Sequence, residues 1–195
     1  MQPSKNTLSD IKNPQTAWLW YGLSALVVGI DQLSKVYFEN NFQLYQTVSV
    51  IEPIFNFTLA HNYGAAFSFL ADQGGWQRFF FSGLAFGVCG FIIVYLRRLP
   101  RDTGVLSAGL ALIMAGALGN LMDRVRLGYV VDFLHVHYAN VWNFPIFNLA
   151  DVAINLGVVL VLIDSFFLEA KRREPPMIDS FFLEAKRREP PMIDA

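Results

Sequence analysis

Acidic, amide and basic side chains stand at helical spacing at the ends of apolar runs in this chain. Asp31 and Lys35 lie four apart in DQLSK at 31–35, and Asn120, Asp123 and Arg124 cluster in GNLMDR at 119–124. Asp132 follows in VVDF at 130–133, and Asn148 and Asp151 in FNLAD at 147–151. Residues three or four apart share a helix face, so each apolar run ends in a polar stripe. Interhelical hydrogen bonding accounts for such residues singly, as for Asn155 or Asp31 alone. Several carboxylates together need more, because at low dielectric they repel one another unless one holds a proton. A pair sharing one proton works as base and acid in the same cycle. The charged member takes a proton from water, and the protonated member donates to a substrate carbonyl. No Ser–His pair stands out on these runs and no phosphate-binding glycine loop is present. Peptide hydrolysis by two aspartates is the chemistry that fits.

The elements that must position these residues are membrane spans. Of 195 residues, 54% are hydrophobic and only 16% charged, with 18 Phe and 4 Trp. A soluble domain carries about 25% charge, and the mean hydropathy here is +0.37. Net charge is −1, which gives no support to a nucleic-acid partner. The single cysteine, Cys89, lies in an apolar run and reads as a small buried or lipid-facing residue. Phe79–Leu96 and Thr103–Met122 contain no charge, and each is about long enough to cross a bilayer. Trp18–Ile30 continues through Asp31 and Lys35, and Pro145–Ile163 is apolar except for Asp151. Four spans are expected, at about 17–38, 77–97, 103–123 and 146–167. A cleaved leader is not expected at the first, because no small-residue cleavage site follows it.

Orientation follows from Lys and Arg. Arg97, Arg98 and Arg101 lie between spans two and three, and Lys171, Arg172 and Arg173 follow span four. Glu39–Gln77 contains no basic residue. The positive-inside rule then puts both termini in the cytoplasm, with Arg124 and Arg126 running against the trend. All the polar stripes fall near the opposite, outer face.

Two outer segments remain. Phe55, Phe57 and Leu59 alternate with Asn56, Thr58 and Ala60, which predicts a half-buried strand. Val48 and Val50 predict its partner, with Glu52-Pro53 at the turn. A periplasmic segment over about 40–75 thus holds a small sheet, and a loop or helix is expected between spans three and four. On a strand His135 and His137 point the same way, which permits metal ligation. No cysteine accompanies them, and interfacial histidines near Trp142 are the preferred reading. No metal site is expected.

Five motifs in order, DQLSK, HNYGAAFSFL at 61–70, GNLMDR, VVDF and FNLAD, closely resemble the lipoprotein signal peptidases (signal peptidase II), intramembrane aspartic peptidases of bacteria. The resemblance covers about residues 15–168. It implies an all-α membrane protein of four transmembrane helices with a small periplasmic β-cradle. It implies cleavage before the diacylglyceryl-modified cysteine of a prolipoprotein at the inner membrane, without a cofactor, and sensitivity to peptide antibiotics of the globomycin type. Asp123 competes as a catalytic residue on spacing alone; the resemblance assigns the pair to Asp132 and Asp151. Asp123, Asn120 and Arg124 then support the site and offset charge. Asn148 orients Asp151, Asn62 and Gly64 sit beside the substrate, and Asp31 with Lys35 forms a paired support. A monomer is expected, since one chain supplies every piece. The reading from another class is a small proton-coupled membrane transporter, which also uses intramembrane carboxylates.

One feature departs from the family. Residues 164–178, DSFFLEAKRREPPMI, recur without change at 179–193. Residues 1–168 are expected to form a single membrane-embedded peptidase domain. Residues 169–195 are expected to form a cytoplasmic tail without a catalytic role.

Overall fold

The computed structural model describes residues 14–64, 76–139 and 141–173. Four long helices and a small sheet follow one another as α1 (Pro14–Asn41), β1 (Thr47–Ile51), β2 (Phe55–Asn62), α2 (Trp76–Leu96), α3 (Gly104–Arg126), β3 (Val130–Tyr138), β4 (Trp142–Asn143) and α4 (Leu149–Ile163). A π-helical turn, Asp164–Leu168, carries α4 into the short α5 (Glu169–Arg173). The second copy of the repeat, the loop expected at Asp72 and residues Ala65–Leu70 lie outside the described residues.

Three helices, Trp76–Leu96, Gly104–Arg126 and Leu149–Leu168, are long and apolar enough to cross a membrane. α1 is longer but carries Asp31, Lys35 and Glu39. It packs the first two inward: Asp31 and Lys35 are buried, whereas Leu19, Leu26 and Leu33 are exposed. The arrangement suits a lipid surround, where polar groups turn to the bundle interior.

Helix ends follow local chemistry. Past α2, Pro100 disfavours continued helix. α3 ends with Arg124 and Arg126 in its last turn, where cations complement the dipole, and Gly128 turns the chain at φ +90°. α4 starts later than the apolar run, because Asn148 caps it in a capping box with Asp151. At the far end, the N-cap Thr103 makes no side-chain cap. The Asp164 carboxylate accepts from the Leu106 amide there and pairs with both terminal nitrogens of Arg172, at 2.9 and 2.6 Å.

α3 is the central helix, touching α1, α2 and α4. Its seam with α4 is glycine-lined. A Cβ on Gly109 would meet the Gly157 carbonyl, one on Gly157 would meet the Gly109 carbonyl, and one on Gly116 would collide with the Ala150 carbonyl.

The sheet is antiparallel in the order β1-β2-β3-β4. The expected β1–β2 hairpin is present, turning at Glu52-Pro53. The loop or helix expected between spans three and four is instead the nine-residue strand β3, which pairs with β2 from Asn62↔Val130 to Phe55↔Val136. The reason lies in its two faces. Val131 and Phe133 pack with Leu59 against Phe38, which stacks on Phe133 at 4.1 Å. Buried on both sides near its start, the strand lacks the alternation that marks a half-buried one.

Candidate active site

The sheet and α4 converge on one asparagine. β3 takes Phe147 along its edge: the Phe133 and Leu134 amides donate to the Phe147 carbonyl at 3.0 and 2.8 Å. This pins the chain just before Asn148, the N-cap of α4. Asn148 Nδ2 donates to Asp132 Oδ1 at 2.6 Å. Its backbone amide donates to Asp151 Oδ2 at 3.1 Å, and its Oδ1 accepts from the Asp151 amide at 2.9 Å. Asp132, from β3, and Asp151, from α4, are thus joined through a single intervening residue.

Each carboxylate has a further amide donor. Asn62 Nδ2, at the end of β2, donates to Asp132 Oδ2 at 3.1 Å. Asn120 Nδ2, from α3, donates to Asp151 Oδ1 at 2.8 Å. Burial and the nearby Asp151 carboxylate push Asp132 up to about 7, against which the Asn62 and Asn148 hydrogen bonds and the Lys35 charge pull. Asp151 is only partly buried and sits in the first turn of α4, where the helix dipole favours negative charge.

A buried ion cluster lies beneath. Lys35 Nζ contacts Asp31 Oδ2 at 2.9 Å, Asp123 Oδ2 at 2.8 Å and Asn120 Oδ1 at 3.0 Å. Asp31 Oδ1 accepts from the Ala150 amide at 2.9 Å, and Asp123 Oδ2 from the Val131 amide at 3.2 Å. Ala150 immediately precedes Asp151, and Val131 immediately precedes Asp132. Gly119 makes room: a Cβ there would lie 2.5 Å from Asp31 Oδ2.

All ten expected site residues therefore connect in one network around Asn120 and Asn148, Arg124 only at its edge. Gly64 belongs to it through its amide, which donates to Asn62 Oδ1 at 2.9 Å with φ at +98°. Arg124 stands further out. It forms no ion pair among the described residues; its Nη1 reaches the Asn120 carbonyl at 3.4 Å, and its guanidinium lies 5.2 Å from the Phe81 ring centre. Asn155, grouped with Asn148 and Asp151 by spacing, is exposed and donates to its own helix at the Asp151 carbonyl. Gln32 was missed. Its Nε2 donates to Asp123 Oδ1 at 2.9 Å and to the Gly119 carbonyl at 3.2 Å. It lies inside DQLSK, but its position next to Asp31 implies a different helix face. A cavity of about 580 Å³ between α2, α3 and α4, lined by Phe91, Leu110 and Val161 among others, lies at the other end of the bundle and takes no part.

Two amide-clamped carboxylates, one holding a proton near neutral pH, have the means to activate water and protonate a carbonyl. Known proteins resemble the chain over most of its length. A lipoprotein signal peptidase from Pseudomonas syringae pv. tomato is 52% identical over 160 residues, covering 82% of this chain and 91% of its own. One from Acinetobacter baumannii is 53% identical over 154 residues, 79% of this chain and 86% of its own. A solved bacterial membrane enzyme, determined by the in meso method, superposes with a TM-score of 0.67 at 26% identity over 86% of this chain and 96% of that one. The sequence profile of signal peptidase (SPase) II matches residues 23–167, and the chain belongs to that family.

Proposed function

We propose that this protein is an aspartic endopeptidase that removes signal peptides from diacylglyceryl-modified prolipoproteins, with Asp132 and Asp151 as its catalytic residues. The observation that carries the proposal is the attachment of both carboxyl groups to Asn148 from two different elements.

The resting proton resides on Asp132, the more buried of the two, and the charge on Asp151 at the α4 N-terminus. Water held between them attacks the carbonyl carbon before the lipidated cysteine. Its proton passes to Asp151, while Asp132 gives its proton to the carbonyl oxygen, and a tetrahedral diol forms. On collapse, Asp132 recovers a proton from the diol, and Asp151 protonates the leaving amine of the cysteine. Both groups return to their starting states, with no covalent intermediate and no metal in the chemistry.

Asn62, Asn120 and Asn148 hold the carboxylates, Asp31 and Asp123 hold the backbone before them, and Lys35 balances the charge. Arg124, over Phe81 and bonded to the Asn120 carbonyl, offsets the charge of the site from its edge. α1 completes a set of four spans, with both termini in the cytoplasm and the site near the periplasmic face of a bacterial inner membrane. Residues 1–168 form the single peptidase domain, and the protein acts as a monomer amid membrane lipids. Peptide antibiotics of the globomycin type inhibit it by occupying the space over the two aspartates. A proton-coupled transporter carries its ionisable groups toward the membrane midplane, whereas here they crowd one end of the bundle.

Incubation of the purified protein with a diacylated prolipoprotein tests the reading. Cleavage is expected, unchanged by a chelator and absent in Asp132→Asn. Cleavage by that variant at the wild-type rate overturns it.

A further inference from the structure

Two buried side-chain atoms among the described residues have no hydrogen-bond partner, Asn56 Oδ1 and His137 Nε2. They belong to one patch. Side chains alternate along β3, so His135 and His137 share the face opposite to that of Asp132. Asn56, on β2, stands directly across from His135 and is thus a diagonal neighbour of His137. The two imidazole rings lie 5.2 Å apart between centres. His135 Nδ1 is engaged with Thr58 Oγ1 at 3.2 Å, which fixes that ring and leaves Nε2 for a second partner.

A buried polar atom without a partner is costly. Two in one patch, an acceptor and an imidazole nitrogen beside a second imidazole, call for a common partner. We propose that His135, His137 and Asn56 bind one divalent transition-metal ion of the zinc class, with water completing its shell. Imidazole nitrogens suit zinc, copper and nickel better than magnesium or calcium. Two Zn–N bonds of about 2.0–2.1 Å together with the ring radii span the observed separation of the rings. No group of three or more His, Cys, Asp or Glu is placed to hold a metal among the described residues, so the third donor is the amide oxygen. The ion ties β2 to β3, the strands that bring Asn62 and Asp132 together. Lying on the other face of the sheet from Asp132, it takes no part in hydrolysis. The inference does not depend on the catalytic reading, and its test needs no substrate.

Tag-free full-length protein in detergent, stripped with a chelator and desalted, is titrated with zinc chloride by calorimetry. The expected result is one zinc ion per chain and a higher Tm with zinc, with no response to magnesium. His137→Ala abolishes the binding, and Asn56→Ala weakens it by roughly tenfold. His135→Gln keeps the bulk and a hydrogen-bonding group, and provides the same test if His137→Ala does not purify folded. Absence of stoichiometric zinc binding in the wild type, or undiminished binding in these variants, overturns the proposal; an ordered water then bridges the two atoms.

Discussion

Lys35 Nζ lies 2.8 Å from Asp123 Oδ2, at a depth where the two side chains are 2% and 3% exposed. The same ammonium holds Asp31, and the two carboxylates grip the amides preceding Asp151 and Asp132. One cation therefore braces both halves of the site. Removing one partner of a buried ion cluster costs about 3–5 kcal/mol, because the remaining charges are left uncompensated. Lys35→Met is expected to lose stability of that order, read as a lower Tm in detergent, and Lys35→Met/Asp123→Asn to recover part of it. A Lys35→Met protein as stable as wild type contradicts this account.

Asp132→Asn and Asp151→Asn are expected to lower kcat by about 10²–10⁴-fold or more, with folding retained. Asp123→Asn is expected to act mainly through stability, since Asp123 bonds to Lys35, Gln32 and the Val131 amide, not to the Asp132 or Asp151 carboxyl. Single-turnover cleavage beside thermal melts separates the two outcomes. Equal turnover losses in Asp123→Asn and Asp132→Asn, without a stability change in the former, would remove the distinction.

Asp132 also sets a pH dependence of stability. Burial, with the Asp151 charge, pushes its carboxyl from the ordinary 3.8 up to about 7. Between those values the folded protein holds a proton that the unfolded chain has released, so stability falls as pH rises through that window. Above pH 7 the whole cost of ionising a buried carboxyl is present, on the order of a few kcal/mol. Asp132→Asn is therefore expected to melt higher than wild type at pH 8, with the advantage shrinking toward pH 4. The wild-type rate is expected to titrate near 7, with Asp132. A pH-independent Tm difference between wild type and Asp132→Asn speaks against the shift.

Gly64 bears on Asn62. Its φ of +98° is disfavoured for any residue with a side chain, and a Cβ would lie 3.3 Å from Gln77 Cβ. Gly64→Ala is expected to cost about 1–2 kcal/mol. It also lowers kcat, because the Gly64 amide holds the Asn62 oxygen. Activity and Tm both at wild-type values would show that Asn62 needs no such hold.

Ending the chain after residue 178 removes the second copy of the repeat and keeps the Asp164–Arg172 pair that meets the start of α3. Cleavage activity and Tm are expected to match the full chain. A loss of activity would assign the second copy a role.

Much of the site was legible because helical spacing is written in residue order. Asp31 with Lys35, Asn120 with Asp123, and Asn148 with Asp151 each declare a shared face. The supports that escaped notice are backbone donors. The Ala150 and Val131 amides leave no mark in residue type, yet they connect Asp31 and Asp123 to the pair. Gln32 escaped for a related reason, since its long side chain crosses to α3 from a position that spacing assigns elsewhere. β3 was concealed by burial on both faces, which replaces alternation with a nearly continuous apolar run.

The glycines of the α3–α4 seam bear on the geometry of the site. Where main chain touches main chain, there is no rotamer to swing aside and no gap to open by degrees. Asn120 and Asp151 ride on these two helices, so the close seam fixes their spacing. The seam is therefore the tightest-built part of the bundle, and it sets the distance between α3 and α4 beneath the site.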